Sequence, residues 1–256
     1  MRFIFLLTPG LWHDLRDALR FLTRLPIPGK GAGRDLNEAL GAFPLAGAVI
    51  GLILVAIDIV LAFIHVPPLG RDALVVAAWC WLTGGMHLDG LMTVGDALFV
   101  PRMAEGFEYA RGEERSPYGV TGALLDLLLK FALLSALQGG IRIEALIVAP
   151  MLGRWSLVLA ATLFPPAGAE IIGMRRINPL RVATAAGTTL ALAPLAGING
   201  MVALILCSVA TWRLGRILSA RLPDRTGAIY GALVEVSEVI MLLVCTLGVT
   251  GLWSSF

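Results

Sequence analysis

Two aspartates, Asp89 and Asp96, stand seven residues apart in the string Gly84-Gly85-Met86-His87-Leu88-Asp89-Gly90-Leu91-Met92-Thr93-Val94-Gly95-Asp96. On a continuing helix that spacing puts both on one face, two turns apart. The glycines around them admit close approach by a second backbone or a ligand. The string follows a long apolar run, and a carboxylate near hydrocarbon needs a partner, water or a metal. A hard divalent cation such as magnesium takes few carboxylates and fills its other positions with water and phosphate oxygens. The pair therefore suits metal-assisted phosphoryl transfer, with two helix-terminal aspartates facing water as the plain alternative. His87 reads as a packing or hydrogen-bonding residue at a helix end, or as a further member of the site.

Other charged residues sit in apolar surroundings. Glu235 and Glu238 are i and i+3 on one helix face, either solvated at a helix start or sharing a polar cavity with Asp89. Asp126 and Lys130 are i and i+4 with the acid first, the favourable order for a pair on one helix. Arg154 lies deep in an apolar run and needs a partner, with Asp58, Asp126 and a glutamate as candidates and a phosphate contact as the alternative. Arg20 and Arg24 offer planar forks for phosphate, or sit near anionic lipid. No Walker loop, dinucleotide fingerprint, zinc spacing or Ser-His-Asp arrangement is present in the sequence.

The elements that must hold these residues are apolar helices. The chain has 256 residues, 57% of them hydrophobic and 15% charged, with a mean hydropathy of +0.83. That is far too apolar for an ordinary soluble domain, and several segments approach the ~20 residues that cross a bilayer. The expected fold is an all-α, polytopic membrane helical bundle with about seven transmembrane helices. Expected spans run over 42–64, 72–88, 119–137, 143–164, 182–195, 201–218 and 227–253, the second delivering the Asp89 string at its end.

Before them, Leu11, Leu15, Leu19 and Leu22 recur at helical spacing, as in an amphipathic helix lying on a membrane surface. Pro26 and Pro28 close that segment. No internal repeat or linker divides the chain, so a single integral-membrane domain over 1–256 is expected, with 1–40 as its interfacial segment. Cys80, Cys207 and Cys245 are isolated in apolar runs and read as buried hydrophobes. A net charge of +2 gives no reason to expect a nucleic-acid partner.

Basic residues orient the bundle. With the N-terminus inside, 16 of the 20 Lys and Arg fall in 1–40 and the connections 97–118, 165–181 and 213–225. That asymmetry predicts a multi-pass protein of the cell inner membrane, with the Asp89 string and the arginine-rich connections on its cytoplasmic face.

The chain resembles the cobalamin synthase family, the membrane enzymes also called adenosylcobinamide-GDP ribazoletransferases. The likeness rests on Arg20-Phe21-Leu22-Thr23-Arg24-Leu25-Pro26-Ile27-Pro28, Phe43-Pro44-Leu45-Ala46-Gly47 and Gly84-Gly85-Met86-His87-Leu88-Asp89-Gly90-Leu91. It continues through Tyr118-Gly119-Val120 to Lys130, and through Thr226-Gly227 and Gly231-Ala232 to Glu235 and Glu238. The resemblance implies a magnesium-dependent transfer in the last steps of cobalamin assembly. A hydroxyl of α-ribazole, or of its 5′-phosphate, attacks the phosphate attached to cobinamide in adenosylcobinamide-GDP and releases GMP. It implies Asp89, Asp96 and His87 as catalytic residues, with Asp89, Asp96, Glu235 and Glu238 around the metal. Arg20, Arg24 and Arg154 would meet the phosphates. Membrane lipid is the other expected partner, and a homo-oligomer is left open.

The chain also departs from the family pattern. Thr93 stands where a third aspartate is usual, Gly112-Glu113-Glu114-Arg115 where an Asp-Ser-Arg segment is usual, and Ala228 where an aspartate follows the family's glycine. A basic residue of the family is replaced near Gly168. Thr93 and Ala228 are what a non-catalytic relative would show, one that binds a corrinoid or scaffolds membrane partners. A membrane phosphotransferase acting on another nucleotide-activated substrate is the third reading. A transporter fits less well, because the polar residues gather at one face.

Overall fold

The computed structural model describes residues 9–28, 36–99, 116–165, 177–222 and 226–249. The polar connection with Arg102, Glu105, Glu108, Arg111, Glu113, Glu114 and Arg115 lies outside the described residues, as do Gly168, Arg175 and Arg176.

The described residues form helices joined by short connections, with no strand among them. We number the helices α1 (Pro9–Leu22), α2 (Leu36–Ala39), α3 (Phe43–Phe63), α4 (Pro68–Thr83) and α5 (Met86–Phe99) in the first half. Then come α6 (Pro117–Ser135), α7 (Gly139–Leu163), α8 (Pro179–Leu192), α9 (Gly197–Arg221) and α10 (Thr226–Val249). Among the described residues, five helical stretches are long and apolar enough to cross a membrane: Leu36–Phe63, Pro117–Ser135, Gly139–Leu163, Pro179–Arg221 and Thr226–Gly248. Two of the expected spans take a different form. The second is α4, with 16 residues, followed by a separate helix; the fifth is α8, with 14 residues, joined by one 3₁₀ turn to α9.

Packing follows residue size. α7 and α10 are the central helices and are mostly buried, whereas α6 is mostly exposed and presents leucines outward. In a bilayer an outward apolar face needs no protein partner, because lipid covers it. The amphipathic pattern of the N-terminal segment does form a helix, α1, whose Leu15, Ala18 and Leu22 are buried in the same core as Phe43, Ala46 and Val158. A second core joins α3, α4, α7, α9 and α10 through Leu54, Trp79, Leu146, Cys207 and Met241.

One end of the bundle is fastened by charge. The Arg142 fork of α7 donates to both carboxylate oxygens of Asp58 at 3.0 and 2.6 Å, and its Nη2 also lies 2.7 Å from Asp72 Oδ1. Arg71 reaches Asp58 at 3.3 Å, and Arg142 Nη1 donates to the Leu134 carbonyl at 3.0 Å. Asp58, a candidate partner for Arg154 by sequence, pairs instead with Arg142 and Arg71 in a clamp between α3, α4 and α7. Arg142, which the expected spans leave in the connection between 119–137 and 143–164, is a buried member of that clamp in the first turn of α7.

Candidate active site

The Asp89 string opens a helix of its own. α4 ends at Gly84, which turns left-handed at φ 66°, and Gly85 follows at φ 68°. Two successive residues in that region suit glycine, which has no Cβ to clash. The N–H groups of Gly84 and Gly85 donate back to the carbonyls of Trp81 and Cys80 at 3.1 and 3.0 Å. α5 begins at once, with the Asp89 N–H donating to Gly85 O at 2.8 Å. Gly90 then lets α5 lie directly on α10: a Cβ there would stand 2.7 Å from the Ala228 carbonyl oxygen and 3.1 Å from Gly231 Cα.

The two aspartates share α5 but not their surroundings. Asp89, in its first turn, is exposed. Asp96, two turns on, is fully buried at the start of α6. Its Oδ1 accepts from the Ser116 hydroxyl at 2.5 Å and from the Gly119 N–H at 2.8 Å. Its Oδ2 is buried with no hydrogen-bond partner. Between them Thr93 is buried, its hydroxyl donating to the Asp89 carbonyl at 3.0 Å, so this side chain is turned onto its own helix. His87 is only 2% exposed and its Nε2 has no partner. α5 is outside the candidate spans, and there burial, with Arg154 and Lys130 adding positive potential, lowers the His87 pKa well below its usual value. The imidazole is therefore neutral and closed from solvent, whereas Asp89 is exposed.

Under α5 lies a buried charged cluster. Lys130 of α6 pairs with Glu235 and, at 2.6 Å, with Glu238 of α10, and reaches Asp126 at 3.3 Å. Its ammonium also sits 5.1 Å from the Trp79 ring centroid. Arg154 of α7 pairs with the other oxygen of Glu238. Arg154 is fully buried, and its Nε and Nη2 have no hydrogen-bond partner. So the structure brings Glu235, Glu238, Asp126, Lys130 and Arg154 together, which answers the question of Arg154's partner in favour of a glutamate. It does not bring the glutamates to Asp96, whose described partners come from the start of α6. Among the described residues no three His, Cys, Asp or Glu side chains gather as a metal-holding group.

Of the arginines, Arg24 is exposed, with its side chain running over Gly84 and its N–H donating to the Leu82 carbonyl at 2.8 Å. Arg20 closes α1 and is half-buried. Ser116 was missed by the sequence reading. The signal for it was a serine before a proline at the head of an apolar run, a helix N-cap followed by proline at the first helical position. Ser116 does cap α6, accepting from the Tyr118 and Gly119 N–H groups at 3.2 and 3.4 Å.

The family described as CobS, cobalamin-5-phosphate synthase, matches residues 14–246. The chain belongs to the cobalamin-5-phosphate synthase family. Curated relatives support the assignment along nearly the whole length. The adenosylcobinamide-GDP ribazoletransferase of Roseiflexus sp. (strain RS-1) is 36% identical over 93% of this chain and 91% of its own. The proteins of that name from Desulforamulus reducens and Synechocystis sp. are 32% and 33% identical, over 93% and 91% of this chain and 98% and 95% of theirs. No solved structure matches this member of the family.

Proposed function

We propose that this chain joins adenosylcobinamide-GDP to α-ribazole, or to its 5′-phosphate, at the cytoplasmic face of the cell inner membrane. The ribazole hydroxyl oxygen forms a bond to the phosphorus attached to cobinamide, that phosphorus loses its bond to GMP, and the hydroxyl proton passes to solvent. The names of the relatives and the family membership support the reaction. The observation that carries the site is α5, which presents exposed Asp89 and, two turns on, Asp96 with one buried oxygen lacking a hydrogen-bond partner.

Magnesium fits that helix better than it fits the cluster below. It needs only one or two carboxylates, with water and phosphate oxygens completing the shell. Asp89 and Asp96 would hold it, and bound there it would neutralise charge building on the transferred phosphoryl group. Glu235 and Glu238 already face Lys130 and Arg154, and those cations would repel a divalent ion. In this proposal the glutamates fix the floor under α5, and Arg154, closed from solvent, steadies Glu238. His87 seats α5 against α10. Arg20 is the described arginine given to the substrate phosphates.

The test is GMP release by purified protein given adenosylcobinamide-GDP, α-ribazole and magnesium. GMP is expected, and Asp89→Ala should slow it at least ~100-fold, about 2.7 kcal/mol of barrier. No GMP, with a competent relative alongside, would favour the non-catalytic reading that Thr93 and Ala228 suggest. Full rate in Asp89→Ala would remove α5 from the chemistry.

A further inference from the structure

Away from the buried acids, a cavity of about 650 Å³ runs down the outer side of the bundle between α4 and α6. Ala73, Val76 and Ala77 form one wall, and Leu124, Leu128 and Phe131 the other. Small residues on α4 facing large ones on α6 leave a furrow where two equally bulky helices would close. Leu124 and Leu128 are exposed, as is Trp81 beside the furrow, and α6 is a candidate span, so in a bilayer this wall faces lipid. The upper end is closed by Gly84, Gly85 and Arg24, and Arg24 is the one charged residue lining the cavity. Its backbone is fastened to Leu82, and its side chain lies close over Gly84, where a Cβ would stand 3.1 Å from Arg24 Cγ. The guanidinium is thus held at the top of an apolar slot.

The dimensions point to one occupant. From Ala73 to Gly84 the furrow follows eleven residues of α4, about 16 Å of helix rise. Half of a hydrocarbon core ~30 Å thick is about 15 Å, the depth of a single leaflet. A cation at the end of an apolar slot about as long as one leaflet is deep matches a phosphate with an acyl chain attached. We propose that this furrow binds one anionic phospholipid, its phosphate on Arg24 and an acyl chain between α4 and α6. Arg24 then belongs to a lipid site at the edge of the Asp89 turn, and substrate phosphates fall to other residues. The lipid would brace Gly84-Gly85 from the side that protein leaves open. A lipid in this furrow requires only this geometry and is independent of the proposed reaction.

The experiment uses the full chain in detergent, titrated with phosphatidylglycerol brominated on its acyl chain, with tryptophan fluorescence as readout. Quenching should saturate at one lipid per chain and lose its saturable part in Trp81→Phe. It should weaken by at least about tenfold, ~1.4 kcal/mol, in Arg24→Gln. Ala77→Phe, whose ring would occupy the slot, should abolish it with helical circular dichroism retained, and Ala73→Leu serves if that variant does not fold. Brominated phosphatidylcholine, which carries a compensating positive charge, should bind more weakly. Quenching that rises without saturation, that survives both slot-filling variants, or that α-ribazole 5′-phosphate displaces overturns the lipid assignment. Failure of GMP release leaves this result unaffected.

Discussion

Two groups of buried charges hold this bundle, and they are built to different accounts. The clamp at the α3–α4 end balances Asp58 and Asp72 against Arg71 and Arg142, and the Arg142 fork spends its donors on carboxylates and on the Leu134 carbonyl. The cluster under α5 sets three carboxylates, Asp126, Glu235 and Glu238, against two cations, Lys130 and Arg154, and leaves Arg154 Nε and Nη2 without hydrogen bonds. A charge-balanced clamp does one thing, which is to join helices, although Arg71 Nε and Asp72 Oδ1 make no hydrogen bond within it. An acid-rich cluster, directly beneath the helix that presents Asp89 and Asp96, can also shape the field around that helix. The difference teaches that burial of charge in this membrane protein serves two ends, and that stoichiometry tells them apart.

Removing the cation from each group should break them unequally. Lys130→Met strands Asp126 and Glu235 and leaves Glu238 with Arg154 alone, so its cost should reach about 4–5 kcal/mol, the upper range for a broken buried pair. The expected readout is loss of the monodisperse peak in detergent gel filtration; a well-folded variant with an ordinary melting point would show that the acids do not depend on Lys130. Arg142→Leu should cost less, about 3 kcal/mol, because Arg71 still reaches Asp58. Its thermal melt should fall, while GMP release per folded molecule stays at the parent rate, since the clamp is at the opposite end of α4 from the Asp89 turn. A matching fall in turnover would merge the two groups into one.

A milder substitution probes the balance itself. Asp58→Asn leaves two arginines facing one remaining carboxylate, and should destabilise by about 2 kcal/mol through weakened charge-assisted bonds to Arg142. A thermal melt of purified protein reads it directly, and an unchanged melting temperature would show the clamp to be over-provisioned with acids.

The sequence made some of this legible and hid the rest for a physical reason. Composition marks the helical membrane class, the leucine spacing marks α1, and the four-residue spacing of Asp126 and Lys130 marks a pair, which the structure holds at 3.3 Å. Each of these is local to one helix. Asp58 with Arg142, and Arg154 with Glu238, are bonds between residues 84 apart, and helical periodicity says nothing of which faces meet. The break in α4 was hidden differently. Gly84-Gly85 lies inside an apolar pattern that continues across it, and glycine there can signal close approach or a turn; only the left-handed φ values decide. For the candidate site, spacing placed Asp89 and Asp96 on one helix, and they are on one helix. That Asp96 would be closed in by Ser116 and Gly119 depended on where α6 begins in space, which no local signal carries.

The smallest expected effect is the sharpest test of the comparison. Glu235→Gln removes one negative charge from the acid-rich cluster and keeps the side-chain shape. The amide oxygen still accepts from Lys130, which retains Glu238 at 2.6 Å and Asp126 at 3.3 Å. The new amide N–H can donate to the neighbouring carboxylate of Asp126, whose Oδ2 has no hydrogen bond. Lost attraction to Lys130 is thus offset by relieved repulsion among acids, and the remaining charges balance as they do in the clamp. Stability should change by no more than ~0.5 kcal/mol in either direction, against the ~2 kcal/mol expected for Asp58→Asn. Side-by-side melts of the two variants decide it: equal losses would mean that the surplus acid under α5 is compensated by a group that the described residues do not include.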